Sequence, residues 1–145
     1  MRVLLFALGA FWCVTAAAAA AAAEVEVKSP WTRATVRLLK VSAAYMELKS
    51  AQGATLVGAS SPVAGNVELH EMRMEGDFMK MRAVPRLPLP AGRTVALTPM
   101  GYHLMLYDLR QQLVEGTRIP IRLEFEMTGG RRESVEVQAE VRPLR

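Results

Sequence analysis

The strongest constraint on the fold is a two-residue alternation of apolar and charged side chains near the end of the chain. In the stretch IPIRLEFEM, residues 119–127, every second residue is apolar and the later intervening ones are charged. This is the period of a β-strand with one buried face, because successive side chains of a strand point to opposite sides. The stretch SVEVQAEV, residues 134–141, repeats it after the turn residues Thr128-Gly129-Gly130. The two stretches are therefore predicted to form a β-hairpin.

Shorter stretches of strand-like sequence fill most of the remaining chain. The predicted strands cover residues 44–49, 55–60, 67–74, 78–84, 93–98 and 102–106. Glycine and proline separate them, most densely between Pro85 and Pro90. No stretch of ten or more residues has a helical period. The pattern predicts an all-β sandwich or Greek-key barrel.

The first residues have the organisation of a secretory signal peptide. Arg2 precedes an apolar run over residues 3–14, and small residues follow up to Ala23. We predict a signal peptide over residues 1–23, a single mature domain over residues 24–145 and a periplasmic location. An uncleaved membrane anchor is the alternative. It is disfavoured because the strongly apolar part is only about 12 residues long, short for a membrane span.

The mature chain contains no cysteine, because Cys13 is the only one. Neither a disulfide framework nor a thiolate site is therefore expected. Phe11 and Trp12 precede Cys13, whereas a lipoprotein signal has small residues there, so we expect no lipid anchor and no stable membrane anchor. The net charge of +4 falls by one without Arg2, and the basic residues are scattered among glutamates. Nucleic acid is not an expected partner.

The segment HEMRMEGDFMKM, residues 70–81, concentrates four methionines and a histidine. A two-residue turn at Gly76-Asp77 would make it a tight hairpin. Cross-strand partners share a face of such a hairpin, and the residues on one face would then be His70, Met72, Met74, Met79 and Met81. Methionine is a flexible filler of core gaps, and we expect that role for Met74 and Met79.

The second histidine of the chain, His103, completes a set of possible metal ligands. It lies two residues before Met105, so both point to one face of a strand while Leu104 and Leu106 supply the core on the other. Two histidines and two methionines, His70, Met81, His103 and Met105, would then converge. Thioether sulfur is a soft donor that suits Cu(I), and without cysteine a blue-copper electron-transfer site is excluded. The predicted role is to carry copper.

These residues resemble the signature of the PCuAC-type family, periplasmic copper chaperones that supply the CuA centre of cytochrome c oxidase. Its pattern is a His, ten residues, a Met, twenty-one residues and His-x-Met. His70, residues 71–80, Met81, residues 82–102 and His103-Leu104-Met105 match it without a gap. The framing sequences SPVAGNVELHEM and LPAGRTVALTPMGYHLML are also similar to those of the family, and the resemblance covers essentially the whole mature chain.

The resemblance implies a cupredoxin-like β-barrel that holds one Cu(I) per chain through His70, Met81, His103 and Met105. It also implies transfer to the CuA-bearing subunit of the oxidase, with Sco-type proteins as further partners. Two departures are visible. Met100-Gly101 replaces the Gly-Gly that is usual before the second histidine, and the C-terminal VRPLR lacks the His- and Met-rich tail that adds a Cu(II) site in some members.

Three other readings stay open from the sequence. The protein could be a structural β-sandwich whose methionines form the core, a general periplasmic protein of copper homeostasis or storage, or a copper enzyme. No further histidine, thiolate or evident general base accompanies the motif. We therefore expect no enzymatic activity.

Overall fold

The computed structural model describes residues 23–144. Ten strands account for most of this range: β1 (Val25–Arg33), β2 (Ser42–Ser50), β3 (Ala54–Ser60), β4 (Asn66–Glu75), β5 (Phe78–Ala83), β6 (Leu87–Leu89), β7 (Thr94–Leu97), β8 (Tyr102–Tyr107), β9 (Arg118–Met127) and β10 (Arg132–Arg142). Residues 23–144 contain no helix, hence none long and apolar enough to span a membrane. The all-β prediction is confirmed. The predicted signal peptide, with Cys13, lies outside the described residues except for Ala23.

The strands form one sheet in the order β5-β4-β8-β2-β1-β10-β9-β3-β6, with β7 paired to β2 beside β8. β3 and β4 are near opposite ends of this order, yet residues of both line one cleft. The sheet therefore curls until its two end regions approach each other. The inner face carries the core, in which Leu48, Leu104 and Phe125 are fully buried. The predicted β9–β10 hairpin is present and antiparallel, with Val135 opposite Leu123.

Two strands were not predicted from the sequence, β1 and β6. In β1 the alternation is broken by a register shift between Lys28 and Trp31, where Ser29 has a φ of 48°. β6 lies in the proline-rich stretch that the sequence marks as a connection. It is an edge strand, where a proline such as Pro88 removes no hydrogen bond that the sheet needs.

The β4–β5 hairpin has the predicted register. Met72 is opposite Met81, and Met74 is opposite Met79. The turn is Gly76-Asp77, and Gly76 has a φ of 64°, which suits a glycine in the first central position of a two-residue hairpin turn. On its other side β4 pairs with β8, with His70 opposite His103. Three neighbouring strands therefore carry the residues that the sequence nominates as ligands.

Candidate metal centre

The four candidate ligands lie on the outer face of β5, β4 and β8. In β8, Leu104 and Leu106 are fully buried in the core, and His103 and Met105 alternate with them on the opposite face. His70 in β4 and Met81 in β5 belong to the same outer face through the strand register. The predicted sharing of one face is therefore present in the structure.

His103 is the best-defined member of the group. The residue is 4% exposed, and Nδ1 lies 3.0 Å from the backbone carbonyl oxygen of Gly101. A carbonyl only accepts a hydrogen bond, so Nδ1 donates its proton there and the neutral ring presents a lone pair at Nε2. That Nε2 lies 3.2 Å from the sulfur of Met81. Two soft or borderline donors are thus already adjacent, across the intervening strand β4.

His70 lies beside His103, with ring centroids 6.0 Å apart. Its Nε2 is 2.9 Å from a carboxylate oxygen of Glu68, two residues earlier on the same face. Its Nδ1 is buried and has no hydrogen-bond partner among the described residues. A buried polar atom without a partner costs about 1–3 kcal/mol of stability. The binding of an external ligand to Nδ1 would recover this free energy.

Met81 and Met105 differ in how they belong to the group. Met81 is 46% exposed on an edge strand, and its sulfur contacts His103. Met105 is half-buried in the middle of the sheet, opposite Glu68 on one side and Ala43 on the other. Register and face place Met105 with the histidines, whereas a direct contact joins Met81 to His103. Met81 is therefore partly accessible from solvent, whereas Met105 is held within the sheet.

The remaining methionines of the hairpin do not fill the core. Met74 is 57% exposed and Met79 is 39% exposed, so the expectation that they pack as gap-fillers is wrong. The reason is the length of the hairpin. β8 begins at Tyr102, opposite Glu71, and the part of the β4–β5 hairpin beyond that pair has no third strand beside it. The tip therefore projects from the sheet with its methionines uncovered.

Sequence reasoning missed the polar and aromatic surroundings of the histidines. Glu68 hydrogen-bonds to His70, Tyr107 has its ring centroid 6.0 Å from that of His70, and Tyr45 lies 6.4 Å from His103. The signal for Glu68 was available, because it lies two residues from His70 in a predicted strand and so shares its face. Tyr45 reaches the site only through the pairing of β2 with β8, which the local pattern does not specify.

The charges around the site act on each other. The hydrogen bond from His70 holds the pKa of Glu68 below its ordinary value. Burial raises the pKa of Tyr107, and the negative charge of Glu68 adds to that effect. Within residues 23–144 there is no group of three or more His, Cys, Asp or Glu side chains that could hold a metal. A metal at this place would therefore depend on the methionine sulfurs.

Comparison with solved structures identifies the fold. The copper-bound PCuAC domain from PmoF2 superposes with a TM-score of 0.68 at 22% identity, over 86% of this chain and 97% of that domain. The Cu(I) form of DR1885 from Deinococcus radiodurans has a TM-score of 0.60 at 34% identity, over 80% of this chain and 78% of that one. Apo-DR1885 matches at 30% identity, with a TM-score of 0.59, over 97% of this chain and 95% of that one. The predicted cupredoxin-like architecture is confirmed.

A curated relative is the "Putative lipoprotein Lxx21020" of Leifsonia xyli subsp. xyli, which is 33% identical over 104 residues. The match covers 70% of this chain and 61% of the relative, so the chain spans about three-fifths of that protein. The relative is described as a lipoprotein, whereas the residues before Cys13 predict no lipid anchor. Cys13 lies outside residues 23–144, and the expectation stays a prediction.

A protein-family model matches nearly all of the described domain. The model described as "Putative lipoprotein LpqE-like" matches residues 25–141, from the first strand to the last. The matched range contains all four candidate ligands. The chain therefore belongs to the LpqE-like family.

Proposed function

We propose that this protein is a copper chaperone that binds one Cu(I) through His70, Met81, His103 and Met105. The observation that carries the proposal is the 3.2 Å contact between Nε2 of His103 and the sulfur of Met81. With Nδ1 of His103 donating to Gly101, both facing atoms present lone pairs. Such a contact between two acceptors is favourable when a cation binds both.

The donor set favours a soft, singly charged ion. Neutral imidazole and thioether ligands suit Cu(I), whereas Mg²⁺ and Ca²⁺ require oxygen ligands and Cu(II) prefers tetragonal nitrogen and oxygen sites. Methionine also needs no deprotonation to bind a metal. The copper-bound PCuAC domain of PmoF2 and the Cu(I) form of DR1885 have the same fold, which supports copper as the metal.

The exposure of the ligands supports delivery over storage. Both histidines are buried, at 7% and 4% exposure, whereas Met81 is 46% exposed. An incoming ligand from another protein could replace the Met81 sulfur first, while His70 and His103 still hold the ion. A storage protein for general copper homeostasis, the alternative role, would gain nothing from an exposed ligand.

The acceptor that we propose is the CuA-bearing subunit of cytochrome c oxidase, with Sco-type proteins as co-workers and the periplasm as the place of transfer. The PCuAC signature over residues 70–105 supports this choice. The lipoprotein description of the family supports a location outside the cytoplasm. We also propose that the role is non-enzymatic, as the same chaperone signature implies.

The purely structural reading of the methionines is weakened by their exposure. Methionines that served as core would be buried, yet Met74, Met79 and Met81 are between 39% and 57% exposed. A cluster of exposed thioethers beside two buried histidines has a simpler explanation in metal chemistry than in packing.

Anaerobic titration with Cu(I) against a chromophoric Cu(I) chelator tests the proposal. We expect uptake of one equivalent by the mature protein, followed by transfer to an apo CuA domain, measured by mass spectrometry of both proteins. Cu(II) without reductant should bind weakly and give no intense thiolate-to-copper colour. Absence of Cu(I) uptake would reject the metal function. Uptake without transfer would reject the proposed acceptor and favour storage.

A further inference from the structure

We infer that Glu68 is a positioning residue that fixes the ring of His70 so that copper binds its Nδ1, while His103 binds the same ion through Nε2. The inference rests on the proposed function and adds to it the identity of the two bound atoms. It also gives a role to a carboxylate that the four-ligand pattern does not include.

The position of the proton on the His70 ring follows from its contact with Glu68. Nε2 lies 2.9 Å from Oε2 of Glu68. An ionised carboxylate only accepts hydrogen bonds, so Nε2 carries the proton and donates it. The neutral ring then has its lone pair at Nδ1. That atom is buried and without a hydrogen-bond partner among the described residues.

The Glu68 carboxylate is itself held by a neighbouring side chain. Its other oxygen, Oε1, accepts a hydrogen bond of 2.7 Å from the side-chain amide of Asn66. Asn66, Glu68 and His70 occupy alternate positions of β4 and therefore share its outer face. The carboxylate is thus bound at both oxygens. Its orientation is fixed before any metal arrives.

His103 has a corresponding arrangement in which the two ring nitrogens exchange roles. There the backbone carbonyl of Gly101 takes the proton of Nδ1 and leaves the lone pair at Nε2. Each histidine therefore has one ring nitrogen engaged by an acceptor two residues away and the other nitrogen free to bind. Metal-binding histidines generally donate their second ring N–H to a carboxylate or carbonyl, which fixes the ring and raises its basicity. Both arrangements are already present without a metal.

Glu68 also places a negative charge next to the proposed ligands. The four proposed ligands are neutral, so a bound Cu(I) would bring an uncompensated positive charge beside two buried rings. Glu68 is the carboxylate that contacts this group, and its side chain is 41% exposed. A carboxylate hydrogen-bonded to a ligand, and not itself bound to the metal, can offset that charge without offering the soft ion a hard oxygen.

The test uses Ag(I) as a probe of the same soft chemistry, because both silver isotopes are spin-active and couple to a directly bound nitrogen. In the mature protein labelled with ¹⁵N, we expect silver coupling at Nδ1 of His70 and at Nε2 of His103. The N–H protons should remain on the opposite nitrogens. Coupling at Nε2 of His70 would overturn the inference and leave copper binding intact. Failure to bind either Ag(I) or Cu(I) would overturn the proposed function as well.

Substitution of Glu68 supplies the second arm. Glu68→Ala removes the acceptor and should raise the Kd for Cu(I) about 10- to 100-fold, a range typical for partners of metal ligands. Glu68→Gln keeps an oxygen that can accept the same hydrogen bond but removes the charge, so part of the affinity should return. An equal loss in both variants would show that the charge or direct coordination matters, not the positioning. Wild-type affinity in Glu68→Ala would overturn the inference outright.

The matched control is Glu71→Gln. Glu71 is in the same strand, on the opposite face, and forms an ion pair with Arg82 at 2.6 Å. The substitution changes the net charge by the same amount as Glu68→Gln does. We expect unchanged Cu(I) affinity and an unchanged His70 spectrum, and equal losses in the two variants would indicate a general charge effect.

Discussion

Strands β5 and β8 both supply proposed ligands, but they are built in opposite ways. β5 is an edge strand that pairs only with β4, and all six of its residues are exposed. β8 lies between β4 and β2, with Leu104 and Leu106 fully buried on one face and His103 only 4% exposed on the other. The centre therefore joins a rigid half, carried by the interior of the sheet, to an accessible half, carried by its edge.

This difference matters for the proposed chaperone function, in which the protein both holds and releases an ion. A ligand within a packed sheet loses little conformational freedom when a metal binds, because the fold has already fixed it. A ligand at an exposed edge can move away and be replaced. Met81 is the proposed ligand at the edge, and we expect it to govern release while His70 and His103 govern retention. Substitutions in each strand can test that division.

The largest effect on stability should come from the inner face of β8. Leu104 is fully buried, and Leu104→Ala should lower the free energy of unfolding by about 2–5 kcal/mol through lost burial and a cavity. Met79→Ala, on the exposed strand β5, should cost about 0.5 kcal/mol or less. Urea unfolding of both variants measures the difference. Similar losses would mean that β5 is packed in solution and that the contrast between the strands is wrong.

The largest effect on copper should come from His103. His103→Ala removes the nitrogen nearest to Met81, and Leu104 and Leu106 face the core and cannot replace it. We expect the greatest loss of Cu(I) affinity of any single substitution in the centre, measured by chelator competition. Since the ring is buried and bonded to Gly101, about 1–3 kcal/mol of stability should be lost too. Folding must therefore be checked by circular dichroism at the titration temperature.

A finer test compares Met81 with Met72, its cross-strand partner. Both are thioethers on one face of one hairpin, and the sulfur of Met81 is 3.2 Å from Nε2 of His103. Met81→Leu should weaken Cu(I) binding about ten-fold or more, equivalent to ~1.4 kcal/mol or above. Met72→Leu should have little effect. Equal losses would show that the hairpin shifts register or that both sulfurs bind, and the same titration decides.

Much of the hairpin could be predicted because its information is local. The two-residue turn at Gly76-Asp77 fixes the register, and the register fixes which methionines share a face with His70. The alternation in β8 likewise separates His103 from Leu104. These predictions required no knowledge of which distant strands become neighbours.

The features that the sequence did not predict depend on non-local contacts. Met74 and Met79 are exposed because β8 begins only at Tyr102, opposite Glu71, and does not extend to the hairpin tip. No residue within the hairpin specifies where β8 begins. Strand β1 was missed because a bulge near Ser29 interrupts its alternation. The same two-residue alternation places Glu68 on the face of His70, but it does not specify the hydrogen bond between the two side chains.

A small expected effect on stability separates fold from function at Met105. This residue is half-buried between β4 and β2, opposite Glu68 and Ala43. Leucine is close to methionine in volume, and such exchanges in packed positions usually cost less than about 1.5 kcal/mol. Met105→Leu should therefore leave the thermal midpoint near that of the wild type.

Copper binding should nevertheless fall in Met105→Leu, because the substitution removes a sulfur that nothing else on β8 can replace. Leu104 and Leu106 point into the core, and Tyr107 offers a hard phenolic oxygen whose pKa is raised by burial. Thermal unfolding and Cu(I) titration of the same sample measure both quantities. If the variant instead unfolded readily but kept its Cu(I) affinity, Met105 would be a packing residue. The rigid half of the centre would then consist of the two histidines alone, with Met81 as the single sulfur ligand.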